Sequence, residues 1–185
     1  MTRLAIVSPC YNEEAVLDSS VARLTQLLDM LVSLGDVSAE SMIVFVNDGS
    51  TDATWQLICR HQRENHYVRG INLARNVGHQ SAIMAGMLTA RHWADVVITI
   101  DADLQDPPEL IPQMIELWEQ GYDDVYARRR SRSGETWLKK KTAAWYYRLL
   151  QSTTHIPVQI DTGDFRLLSK RCVTAITQLR ESQRN

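Results

Sequence analysis

Three cysteines in 185 residues are too few, and too oddly numbered, for a disulfide framework. Cys10, Cys59 and Cys172 follow no metal-cluster spacing, and read as reduced thiols of a cytosolic protein. Long hydrophobic runs are missing too. The N-terminus, MTRLAIVSPCYNEE, turns acidic after an apolar run too short for a signal peptide. No stretch approaches the ~18 apolar residues that cross a bilayer, so this chain is not expected to span one itself. A net charge of −2 gives no global signal for nucleic acid. There is no Gly-x-x-x-x-Gly-Lys, which excludes a P-loop, and no internal repeat or low-complexity linker. What is left is an ordinary globular composition, 44% hydrophobic and 23% charged, of a size that suits one domain.

Charge is unevenly spread. Residues 128–148 hold eight Lys or Arg and one Glu, a local +7 that leaves −9 for the rest of the chain. So dense a basic block suits a solvated face, a phosphate site or a membrane surface.

Short apolar runs alternate with longer segments of helical spacing. Strands are expected at 4–7, 42–46, 68–73, 96–100 and 124–127. Helices are expected at about 14–34, 51–63 and 80–92, and from Pro107–Pro108 through Trp118. Ser50 or Thr51 reads as the N-cap of the second helix, with Asp52 in its first turn. Residues 128–134 read as a loop and 137–151 as a helix. An apolar segment at 165–168 precedes a last helix at 170–179. This alternation predicts an α/β domain with a mostly parallel sheet, whose ligands collect at the carboxyl ends of the strands. Three polar segments come directly after strands and so should line one rim.

The first is Ile100-Asp101-Ala102-Asp103-Leu104-Gln105. Two carboxylates two residues apart, where a strand breaks into a turn, can share a divalent cation, and Gln105 adds a neutral oxygen. Such ligation suits Mg²⁺ or Mn²⁺; the plain alternative is two solvated loop carboxylates. In the second, Asn47 to Asp52 (NDGSTD), capping and a tight turn account for Gly49, Ser50 and Thr51 but not for Asp48, which can accept hydrogen bonds from a base or ribose. In the third, Pro9 to Glu14 (PCYNEE), Tyr11 can pack on a base and Glu13 can hydrogen-bond it. An acidic helix start explains that segment equally well.

Together, PCYNEE, NDGSTD and Asp101 to Pro108 (DADLQDPP) resemble, in order and spacing, the family-two inverting glycosyltransferases of GT-A fold. Asn72 to Gly78 (NLARNVG) with His79 and Gln80, and Gly163 to Leu167 (GDFRL), resemble the polyprenyl-phosphate, dolichol-phosphate-mannose-synthase-like branch. The resemblance covers nearly the whole chain. It implies a Rossmann-like GT-A domain, with 1–127 binding the nucleotide sugar and 128–185 forming the acceptor side, truncated before C-terminal membrane segments. It implies that Pro9, Tyr11, Glu13 and Asp48 hold the nucleoside, that Asp101 lies near the ribose, diphosphate and metal, and that Asp103 and Gln105 complete the metal ligands. Arg128, Arg130 and Arg132 would close over the phosphates, a task suited to the planar guanidinium fork. Asp164 would be the base or an orienting group, and Arg166 would bind the acceptor phosphate. A phosphate monoester, with a second pKa near ~6, is already a nucleophile at neutral pH, so strong base catalysis is not required of Asp164.

The implied reaction transfers a sugar from a nucleotide-diphosphate sugar, preferably a UDP-sugar, to a polyprenyl phosphate with inversion. The acceptor would lie at the cytoplasmic face of the membrane, and no nucleic acid is expected. Trp137 to Leu150 (WLKKKTAAWYYRLL) suits an interfacial helix, or else an amphipathic cover for the core. Two alternatives stay open: transfer to a saccharide or lipid-linked glycan, and a catalytically incomplete donor-binding domain.

Overall fold

The computed structural model describes residues 1–127 and 164–182. Six strands form one sheet: β1 (Leu4–Cys10), β2 (Met42–Asn47), β3 (Val68–Asn72), β4 (Val96–Thr99), β5 (Asp124–Tyr126) and β6 (Arg166–Ser169). Their spatial order is β3-β2-β1-β4-β6-β5. β1 to β4 are parallel neighbours, with Val7 opposite both Val44 and Thr99. β6 runs antiparallel between β4 and β5. The parallel strands are linked by α1 (Leu17–Leu34), α2 (Thr54–Glu64) and α3 (His79–Ala90). A 3₁₀ turn at Pro108–Leu110 leads into α4 (Ile111–Glu119), and α5 (Lys170–Ser182) comes after β6.

The central strands are mostly apolar because they are covered on both faces. Every residue of β1 is buried. Ala5, Val7, Val44 and Val46 meet Ala82, Ile83 and Met87 of α3 in one core cluster. The small residues of α3 bring it close: a Cβ on Gly86 would stand 2.3 Å from Val7 Cγ1. Alternation sends Leu4 and Ile6, both fully buried, to the opposite face.

Element boundaries shift where polar side chains are drawn into loop contacts. The first helix starts at Leu17 rather than Glu14, and the second at Thr54 rather than Thr51. Ser50 and Thr51 do not cap α2, because both bind Asn12: Ser50 Oγ accepts the Asn12 amide at 3.0 Å, and the Thr51 amide donates to Asn12 Oδ1 at 2.9 Å. The N-cap is Ala53, which has no side chain to cap with, and Asp52 just before it accepts the Thr54 amide at 3.0 Å. The expected loop at 128–134 and helix at 137–151 lie outside the described residues. Among the described residues, no helix is long and apolar enough to cross a membrane.

Candidate functional site

The three rim segments do converge. At the carboxyl ends of β1, β2 and β4, a cleft of about 380 Å³ is lined by Pro9, Cys10, Tyr11, Glu13, Asp48, Asn76, Gly78, His79, Asp101, Ala102 and Asp103. The loops after β1 and β2 are stitched together. Thr54 Oγ1 accepts the Glu13 amide at 2.8 Å, Asp52 accepts the Glu14 amide at 3.2 Å, and Glu14 in return accepts the Ala53 amide at 2.8 Å. Residues that look like helix caps in the sequence therefore fix the backbone that carries Tyr11 and Glu13. Tyr11 lines the cleft and is half exposed.

Asp48 is almost wholly buried, and a buried carboxylate needs donors. It finds them in the lead-in to α3: Oδ1 accepts the Val77 amide at 2.7 Å and Oδ2 the Gly78 amide at 3.0 Å. Gly78, at φ +92°, turns the chain from that anchor into α3.

The segment after β4 carries backbone strain. Leu104 has a left-handed conformation, φ +49°, which is costly for a branched side chain. Burial of its side chain and a 3.1 Å bond from its amide to the Asp101 carbonyl hold it there. The turn brings Asp101 and Asp103 to the same cleft. Burial, then the charges of Asp164, Asp103 and Asp106, raise the Asp101 carboxyl above the ordinary range, with His79 opposing. Burial and the carboxylates of Asp103, Asp101 and Asp52 likewise raise Glu13. Asp101 Oδ1 is buried without a hydrogen-bond donor. An orphaned carboxylate oxygen among like charges is what a divalent cation would satisfy.

At the edge of the cleft, His79 Nε2 lies 2.8 Å from Asp164 Oδ2 and 3.4 Å from Asp101 Oδ1. The Gln80 amide donates to Asp164 Oδ1 at 2.8 Å. Thr99 Oγ1 donates to the Asp164 carbonyl, tying that residue to the end of β4. His79, Asp101 and Asp164 each offer a ligand atom within 4.8 Å of the others.

Of the residues expected at the site, Pro9, Tyr11, Glu13, Asp48, Asp101 and Asp103 line the cleft together, while Gln105 is exposed outside its lining. Asp164 holds His79, whose Nε2 also lies 3.4 Å from Asp101 Oδ1. Arg166 lies at the start of β6, opposite Thr99 and Tyr126. Arg128, Arg130 and Arg132 lie outside the described residues. Asn76, Gly78 and His79 were given no site role by sequence reasoning, yet they line the cleft; the signal was NLARNVG-His-Gln, whose residues join loop and helix.

A family model described as glycosyl transferase family 2 matches residues 5–176. The chain belongs to that family. It is 45% identical to the uncharacterized glycosyltransferase YkcC of Bacillus subtilis, over 96% of this chain and 52% of that protein. To a prophage bactoprenol glucosyl transferase homolog of Escherichia coli it is 36% identical, over 97% of this chain and 56% of that one. The chain thus spans about half the length of the curated relatives it matches. Glucosyl-3-phosphoglycerate synthase of Mycobacterium tuberculosis, solved with UDP, superimposes with a TM-score of 0.59 at 19% identity, over 92% of this chain and 57% of that one. The fold is GT-A.

Proposed function

We propose that this family-two glycosyltransferase chain is the catalytic part of an enzyme that moves a sugar from a UDP-sugar to a polyprenyl phosphate, inverting the anomeric carbon. The observation that carries the reading is the single cleft in which Tyr11, Glu13, Asp48, Asp101 and Asp103 meet at the carboxyl ends of three parallel strands. The acceptor class is supported by the relatives named bactoprenol glucosyl transferases, 36–37% identical over 97% of this chain.

In this reading Tyr11 stacks on the base, and Glu13 and Asp48 receive hydrogen bonds from the nucleoside. Asp101 and Asp103 hold a Mg²⁺ or Mn²⁺, with Gln105 beside them; the orphaned Asp101 oxygen and the crowded carboxylates fit such an ion. When bound, the ion neutralises charge developing on the diphosphate leaving group. Asp164, held at the edge of the cleft, orients an arginine that pairs with the acceptor phosphate, and Arg166 and the basic segment from Arg128 contribute positive charge to the phosphates. No covalent nucleophile is needed. The protein supplies position and electrostatic stabilisation for one in-line displacement. The acceptor sits at the cytoplasmic face of the membrane, with the cleft presented to it.

The test is calorimetric titration of UDP and GDP, each with and without Mn²⁺, on wild type and Asp103→Ala, and then transfer from UDP-sugars to a polyprenyl phosphate and to a saccharide. Mn²⁺-dependent UDP binding that is lost in the variant, with transfer to the phosphate alone, supports the proposal. GDP preference would change the donor. Transfer to the saccharide alone would overturn the acceptor.

A further inference from the structure

Neighbouring residues on a helix point about 100° apart, so it is unusual for two of them to hold one group. His79 and Gln80, the first residues of α3, do this: each holds a different oxygen of Asp164, both at 2.8 Å. The helix start is itself anchored, because Asp48 binds the amides just before it. From the other side, Thr99 binds the Asp164 carbonyl. Backbone and carboxylate of Asp164 are therefore fixed from two elements. A carboxylate has about four acceptor positions, so two remain for further donors, such as an arginine that pairs with the acceptor phosphate. His79 also faces Asp101 at 3.4 Å and lines the cleft, whereas Gln80 does not line it.

We propose that His79 and Gln80 are positioning residues for Asp164: together they lock its carboxylate in one orientation, and His79 alone also faces the donor-side carboxylate Asp101. The inference rests on the sugar-transfer reading for its kinetic consequence, but the lock itself does not.

The two residues should fail differently. Gln80→Ala frees one Asp164 oxygen and leaves the donor cleft intact, so kcat falls about 10- to 100-fold, as expected for a misplaced reacting partner. The donor KM stays within about twofold, because no cleft-lining group is altered. Gln80→Glu sets carboxylate against carboxylate and falls at least as far. His79→Ala lowers kcat and also weakens Mn²⁺–UDP binding. In an Asp164→Ala background Gln80→Ala adds nothing, since its effect passes through Asp164. Losses that simply multiply, or a Gln80→Ala defect seen only in melting temperature, overturn the proposal.

A readout without substrate accompanies the kinetics. In ¹⁵N spectra of the imidazoles, His79 is identified among the five histidines by its absence in His79→Gln. The wild-type ring shows its proton held on Nε2 against Asp164, and Asp164→Ala releases it. A ring signal that Asp164→Ala leaves unmoved overturns the lock. A wild type that transfers to no acceptor, but whose His79 ring responds to Asp164→Ala, refutes the sugar-transfer reading and retains the lock.

Discussion

Asp48 grips Gly78: one carboxylate oxygen accepts the Gly78 amide at 3.0 Å while the other accepts the amide of Val77 at 2.7 Å. A side chain at the end of β2 thereby sets the start of α3, which in turn carries His79 and Gln80. Asp48→Asn keeps one acceptor oxygen and turns an amide NH₂ toward the other backbone donor. That leaves a donor unpaired in a buried place, at a cost of about 1–3 kcal/mol. The expected outcome is lower stability in denaturant, faster hydrogen exchange at the Val77 and Gly78 amides, and weaker UDP binding. Unchanged exchange at those two amides would show that the grip is absent in solution.

Gly49 meets the same loop from below. Its φ is +67°, and a Cβ there would stand 2.4 Å from the Asn76 nitrogen and 2.6 Å from the Arg75 carbonyl carbon. Backbone atoms cannot yield as a side-chain tip can. Gly49→Ala is therefore expected to lose about 2–4 kcal/mol from left-handed strain and overpacking. UDP binding should fall with it, because Asn76 and Gly78 line the cleft. A variant as stable as wild type in urea unfolding would refute the close approach.

Much of this fold was legible because its strands are short apolar runs and its helices repeat Leu at helical spacing, as in Leu24, Leu28 and Leu31 of α1. The rim was legible for a related reason. In a parallel sheet the carboxyl ends of all strands lie on one side, so PCYNEE, NDGSTD and DADLQD had to be neighbours. What escaped depends on contacts between segments far apart in sequence. Ser50 and Thr51 carry the signature of an N-cap, but Asn12, some 38 residues earlier, claims both, and the helix starts later, at Thr54, with its first amide on Asp52. The Asp48 anchor and the Asp164 lock join residues 29 to 85 positions apart, and no local pattern announces them. β6 was legible as an apolar segment, but its antiparallel place between β4 and β5 was not, since neither turn chemistry nor period fixes the direction of a strand.

Away from the site, the Asp18 carboxylate binds His61 at 2.6 Å and Arg60 at 2.5 Å, joining α1 to α2. Hydrogen bonds from His61, then Arg60, hold this carboxyl below its ordinary range. A depressed carboxyl pKa gives stability that is present above the unfolded value, about 3.9, and is lost as pH falls through the folded one. Asp18 is largely exposed, so the contribution is about 0.5 kcal/mol. Asp18→Asn should be less stable than wild type by that amount above about pH 4, and the gap should close below it. A gap of constant size from pH 7 to pH 2.5 in urea titrations would rule out the ion-pair origin.

Asp101 titrates with the opposite sign. Burial and the neighbouring carboxylates raise its folded pKa, and a raised carboxyl gives stability that is full below about pH 3.9 and is lost as pH rises through the folded value. At neutral pH the ionised group is thus a burden on the metal-free fold. Its side chain is partly exposed, so water screens the burden to less than about 1 kcal/mol. Asp101→Asn is expected to raise the melting temperature in chelator by about 2 °C at pH 7, with no gain near pH 3.5. The same variant should lose Mn²⁺-dependent UDP binding, and Mn²⁺ with UDP should stabilise wild type but not the variant. These two effects pull apart what a single activity assay would merge. An Asp101→Asn protein that melts lower than wild type at pH 7 in chelator would mean that the carboxylate supports the fold. One that melts higher yet binds Mn²⁺–UDP as wild type does would mean that the cation, if bound, is held without it.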